Sequence, residues 1–216
     1  IEGYSDMVST PDLWAIVLTL VTIPTIAVLW GAIKNKDKRA AYPLALFSVG
    51  VIGWSLSIAL GLWIKNHELT RASVNFRNLF VDMTVFGWFY VAAEYTQRDW
   101  LKQPKYLLAI GLVPIFDQLL GWTNHLHHLM YTSQTRVTTE GILITAPGPY
   151  FWYIHAVWTY LFLALAGVLL LDELRGASGI YRKQCLTLLG GQAVGWTSSI
   201  LWLTGVTAPN EYVDTV

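Results

Sequence analysis

Residues 151–171 read FWYIHAVWTYLFLALAGVLLL, twenty-one positions without an aspartate, glutamate, lysine or arginine. At 1.5 Å per residue such a run, as a helix, crosses the ~30 Å hydrocarbon core of a bilayer. Five further stretches of similar length and character occur at 13–33, 43–64, 79–97, 106–122 and 184–207. Together the six hold more than half of the 216 residues, which leaves little chain to build a soluble core. The sequence therefore predicts an all-α integral membrane protein, one domain over 1–216, with six transmembrane helices. A hydrophobic fraction of 54% and a mean hydropathy of +0.45 point to the same class.

Charge placement gives an orientation. The joints at 34–42, 98–105 and 172–183 carry Lys34, Lys36, Lys38, Arg39, Arg98, Lys102, Lys105, Arg175, Arg182 and Lys183. The alternate joints hold only Lys65, Arg71, Arg77 and Arg136. The positive-inside rule puts the first set in the cytoplasm and the N-terminus outside. A net charge of zero argues against a nucleic-acid partner; the lipid bilayer is the expected one. The single Cys185 has no partner in the chain for a disulfide and reads as a small buried residue. Residues 1–12 lack the basic and apolar regions of a signal peptide.

The one long joint, 123–150, contains the breakers Gly141, Pro147, Gly148 and Pro149. Within it, 141–145 is expected to pair with 135–139 as a short hairpin, forming a small extracellular cap between the fourth and fifth spans. Pro24 and Pro114 are expected to kink the first and fourth spans. Gly191 and Gly195 have the small-xxx-small spacing of close helix packing. Trp14, Trp63, Trp122 and Trp152 fall near outer span ends and Trp30 and Trp100 near inner ends, as an interfacial belt requires. Trp54, Trp88, Trp158 and Trp196 lie deeper, as core or as walls of an aromatic pocket.

A charge near the bilayer centre costs ~2.5–3.5 kcal/mol on insertion scales, so intramembrane acids need a partner or a purpose. Glu94 precedes Arg98 by four residues, and an i,i+4 ion pair is expected to satisfy it. Asp82, Asp117 and His155 come from three different spans, at a similar depth in the outer half. With Gln118 and Trp158 they form the candidate lining of a polar, ligand-binding cavity. The alternative is a set of unrelated hydrogen bonds: Asp82 to Arg77 or Asn78, and Asp117 to a tryptophan N–H. The run Asn124-His-Leu-His-His-Leu offers His125 and His128 as weak metal candidates on one helical face. No local fourth ligand supports them, so the run reads first as a structural cap, with pH sensing by imidazoles of ordinary pKa about 6.5 as the alternative; no metal is assigned, and the cofactor is unknown. No catalytic motif is evident, so the chain is not expected to be an enzyme.

Several segments resemble the N-terminal seven-helix membrane region of bacterial and archaeal sensor histidine kinases. Glu94-Tyr-Thr-Gln-Arg-Asp-Trp-Leu101 is similar to that family's Tyr-Thr-Gly-Arg segment followed by Trp-Leu, with Gln97 where glycine is usual. Val113-Pro114, Thr123-Asn124 with His127 and His128, Gly148-Pro-Tyr-Phe-Trp152 and Tyr160, Tyr181-Arg-Lys-Gln184, Tyr212-Val-Asp-Thr215 and Trp54 follow the family order. The resemblance implies a multi-pass sensory domain in a prokaryotic plasma membrane, responding to an unknown small ligand or stimulus. It also implies a homodimer or another membrane-complex partner, and a kinase module that these residues do not carry. The sixth span exits outward, so the family's seventh helix is expected to be missing here. The alternatives are a retinal-type photoreceptor or pump, an accessory subunit of a membrane complex, and a transporter. No lysine lies in mid-span for a Schiff base.

Overall fold

A computed structural model describes residues 10–63, 67–137 and 143–203. Six long helices carry most of them: α1 (Thr10–Lys34), α2 (Ala41–Trp63), α3 (His67–Tyr95), α4 (Pro104–Trp122), α6 (Val157–Gly176) and α7 (Gly179–Leu203). A single turn, α5 (Asn124–His127), follows α4, and a π-helical stretch, Phe151–Ala156, leads into α6. As far as each is described, the apolar stretches read from the sequence fall on the long helices, the fifth beginning in the π-helical stretch. α1 and α4 run continuously through Pro24 and Pro114.

Among the described residues, three helical segments, Ala15–Lys34, Ala41–Trp63 and Phe151–Gly176, are long and apolar enough by themselves to cross a membrane. α3, α4 and α7 are more polar, and the packing explains this for α3. It touches α2, α4 and α6, so much of its surface meets protein and it can carry the buried Asn78, Asp82 and Glu94. α1 packs on α2 and α7 on α6, and both turn large apolar side chains such as Ile23 and Val194 outward. The helix that carries the stretch at 79–97 is longer than that stretch, beginning at His67 and stopping at Tyr95. Polar residues from Glu68 to Asn78 hid its first turns from a hydropathy reading. Trp30, Trp63, Trp100, Trp122 and Trp152 are exposed, as belt residues must be. Trp54, read as deep, is 40% exposed.

Close approach between α2 and α3 rests on glycines. A Cβ at Gly87 would lie 2.5 Å from the Phe47 backbone nitrogen, and one at Gly50 would lie 2.6 Å from that of Thr84. The Gly191/Gly195 spacing does not do the same, contrary to expectation. Neither position has a neighbour within 4 Å, and the residue between them holds α7 instead. Gln192 donates from Nε2 to the Leu163 carbonyl at 2.7 Å and accepts from Trp88 Nε1 at 2.9 Å, joining α7 to α6 and α3. Tyr160 to Ser199 at 2.7 Å and Tyr95 to Gln184 at 3.1 Å extend this polar seam. Polar contacts of this kind hold helices together where lipid supplies no hydrophobic drive.

Glu94 also departs from expectation. Arg98 lies past the end of α3, so no i,i+4 pair forms. The Arg98 N–H reaches the Ala93 carbonyl and the Gln97 N–H that of Glu94, the two bonds of a Schellman cap. Gln97 sits at the left-handed position of that cap, with φ 57°. Glu94 is paired by Lys102 at 2.9 Å and Arg39 at 3.1 Å, and both cations also hold Asp99. Arg98 turns to Asp172 of α6 at 2.6 Å. The Glu94 and Asp99 pairs tie the α1–α2 joint to the end of α3 and the turn Asp99–Lys102, and the separate Arg98–Asp172 pair ties this chain reversal to the end of α6.

Candidate functional site

Above this network, α3 and α6 share an apolar cluster that includes Val85, Phe89, Trp158, Ala166 and Leu170. A second cluster, of Val74, Met130 and Tyr131 with Phe151, fastens the segment after α5 to the other part of α3. Asn124 shapes that segment. Its side chain accepts from the N–H groups of Met130 and Tyr131 and donates to the Tyr131 carbonyl. The Tyr131 hydroxyl and the Asn78 amide bond each other, at 2.7 and 2.9 Å. Burial raises the Tyr131 phenol above its ordinary range. Two-residue strands, β1 (Arg136–Val137) and β2 (Leu143–Ile144), pair antiparallel within the segments expected to form a hairpin. Residues 138–142 between them lie outside the described residues, as does the 212–215 motif.

Asp82 lies along α3 between the two apolar clusters, and there Asp117 of α4 and His155 of the π-helical stretch meet it. His155 Nδ1 is 2.5 Å from Asp117 Oδ2 and 3.7 Å from Asp82 Oδ1. All three are closed off, with exposures of 1% for Asp82, 0% for Asp117 and 5% for His155. π-helical turns concentrate at functional sites because the extra residue re-aims the side chains beside it. Here the stretch presents His155 to the two acids. Phe151 stacks on the His155 ring, with centroids 5.0 Å apart.

The unrelated-bond alternative is not what the structure contains. Asn78 is engaged by Tyr131, and Asp117 faces an imidazole and not an indole. Among the described residues, neither oxygen of Asp82 has a hydrogen-bond partner of good geometry, and neither do Asp117 Oδ1, Gln118 Nε2, Tyr150 Oη and Trp158 Nε1. Gln118 flanks Asp82, and the Tyr150 hydroxyl lies close to both acids. Buried polar atoms are almost always paired, so such a concentration needs an explanation. Tyr150 is an addition the sequence reading did not make; it lies inside the quoted Gly148–Trp152 motif, which is the signal that could have found it.

The histidine run after α4 behaves differently. His127 accepts the Leu129 N–H at Nδ1 and meets the Thr123 hydroxyl at Nε2, so both ring nitrogens are used in shaping the turn. His125 and His128 do not share a helical face, because α5 ends at His127 and His128 is left-handed, with φ 54°. Among the described residues, the group of three or more ligating side chains with metal-compatible spacing is Asp82, Asp117 and His155.

A family model described as the N-terminal 7TM region of histidine kinase matches residues 14–216. Neither a curated protein nor a solved structure matched the chain. A family match over nearly the whole chain, on a bundle of long apolar helices, leads to one conclusion: the chain belongs to the N-terminal 7TM region family of histidine kinases, a sensory membrane domain that is not itself the catalytic module.

Proposed function

We propose that this domain senses a stimulus at the Asp82–Asp117–His155 cluster and passes it to a kinase through the packing of α3. Six helices cross a prokaryotic plasma membrane, with the N-terminus and the 123–150 segment outside and the basic joints in the cytoplasm. The reading is carried by a single observation: two buried acids, Asp117 bonded to His155 and Asp82 with neither oxygen bonded, meet that imidazole where α3, α4 and the lead-in to α6 converge. Any ligand or proton that changes charge there acts on three helices at once.

Glu94 lies twelve residues from Asp82 on the same helix, about 18 Å away at 1.5 Å per residue. A shift of α3 at the cluster therefore reaches the ion network of Arg39, Asp99 and Lys102. A bistable element biased from a distant site is what two-state signalling requires. Sensor kinases of this kind work as homodimers, and a dimer is the expected state here.

Reporter output from cells carrying the full-length receptor tests the proposal. Asp82→Asn and His155→Asn, at normal membrane abundance, are expected to lock or abolish the response; an unchanged dose–response for both would end it. Orientation is tested separately in a Cys185→Ser background. A membrane-impermeant maleimide is expected to label Ser133→Cys in intact cells and to spare Lys36→Cys, and the reverse pattern overturns the topology.

A further inference from the structure

We infer that the stimulus site is a metal centre, in which Asp82, Asp117 and His155 bind one divalent transition-metal cation of the zinc or cobalt type. This deepens the sensory reading by naming the class of ligand. One ligand atom from each residue lies within 4.8 Å of the others. In a tetrahedral site with bonds of ~2.0–2.2 Å, donor atoms stand ~3.3 Å apart. The observed 2.5 and 3.7 Å bracket that spacing, so small side-chain shifts would admit an ion.

Charge points the same way. Two carboxylates enclosed beside one imidazole cannot both ionise without compensation, so the site has to take up a cation or keep a proton, and a cation meets both acids at once. The arginine nearest in sequence, Arg77, instead lines a separate cleft with Ser57, Gly61 and Ser73. A bound dication would neutralise both acids and satisfy Asp82, whose oxygens are otherwise idle.

Enclosure favours a small ligand. The three residues are almost fully enclosed, and the clefts formed by α1–α2 and by α2–α3 are lined by other residues. An enclosed point of convergence suits an ion and not an organic molecule. One nitrogen and two carboxylate donors without sulfur favour zinc, cobalt or nickel over cuprous copper, and an imidazole ligand disfavours magnesium and calcium. The idle Tyr150 hydroxyl or a water would complete the shell, and the Gln118 N–H group beside Asp82 is placed to donate to the carboxylate.

The test is Co²⁺ binding to the chelator-stripped, full-length protein in nanodiscs, followed by ligand-field absorption and by metal content. The expected result is about one Co²⁺ per chain, with the intense visible bands of a four-coordinate site, displaced by Zn²⁺. Asp82→Asn and His155→Asn should each weaken binding at least ~100-fold, beyond what losing an outer-shell partner costs. The double variant His125→Asn/His128→Asn should leave it unchanged. If the triad variants misfold, the wild-type spectrum still decides, because a six-coordinate signal or no stoichiometric uptake overturns the inference. Loss of binding in the His125/His128 variant overturns it too. Metal bound without any change in reporter output leaves the centre standing and removes the sensory reading. Output that fails in Asp82→Asn while the wild type takes up no metal does the opposite.

Discussion

Lys102 Nζ lies 2.9 Å from Glu94 Oε1, across the chain reversal that ends α3. Glu94 is 9% exposed while its partners Lys102 and Arg39 are about half in solvent, so the pair stands between the surface and buried regimes. Removing the charge leaves two cations facing a neutral amide. Glu94→Gln should destabilise the domain by about 1–2 kcal/mol, more than a surface pair and less than a fully buried one. The single thiol gives the readout: Cys185 is buried, so its rate of labelling by a maleimide during a thermal ramp reports unfolding. An unshifted Glu94→Gln transition would mean that the network is ornamental.

Acid should act on the same network through Asp99. The Lys102 ammonium hydrogen-bonded to it and the neighbouring Arg39 hold the Asp99 carboxyl below its ordinary value of 3.8. A carboxyl whose native pKa is depressed contributes stability in full above its unfolded value. That contribution is lost as pH falls from about 3.8 through the lower native value. Wild type and Asp99→Asn should therefore differ in melting temperature near pH 6 and converge as the pH drops below about 4. A gap that persists in acid would assign the effect to packing.

Gln97 offers a gain. Its φ of 57° is a conformation that costs an L-residue ~1–2 kcal/mol, while glycine adopts it freely. Against this, glycine adds ~0.4–1 kcal/mol of unfolded-state entropy. Gln97→Gly should thus raise stability by about 0.5–1 kcal/mol, and Gln97→Val should lower it. Equal melting temperatures for all three would show that the Schellman cap does not limit the end of α3.

Much of this architecture was legible in residues that obey one rule at a time. Apolar runs located every long helix, and the cost of intramembrane acids singled out Asp82 and Asp117 before any geometry was known. The depth argument brought His155 to the same layer, and the structure puts it within 4 Å of both. What failed depended on local backbone geometry or on competition between partners. Glu94 has Arg98 four residues on, but a cap at Gln97 ends the helix first, and cations 55 residues back and 8 ahead take its place. His125 and His128 have helical spacing, but their helix is a single turn. Gly191 and Gly195 have a packing motif, yet Gln192 between them makes the contacts, because a half-buried amide between helices gains most by bonding across them.

The glycines give the sharpest contrast. Gly87 faces the Phe47 backbone, which cannot rotate away, so a methyl at 2.5 Å forces α2 and α3 apart. Overpacking of this kind costs about 1–3 kcal/mol, and Gly87→Ala should lower the thiol-detected transition accordingly. Gly191→Ala meets nothing within 4 Å in this chain. It also replaces glycine in a helix interior with a better helix former, so in the isolated monomer it should be neutral or stabilising by up to ~1 kcal/mol. The two substitutions add the same methyl to the same kind of helix, so a difference between them measures packing alone. If Gly191→Ala instead destabilises the protein, and does so only at concentrations where copies associate, then the open face of α7 is occupied in the assembly. The direction of that one shift separates a lipid-facing helix from a protein-facing one.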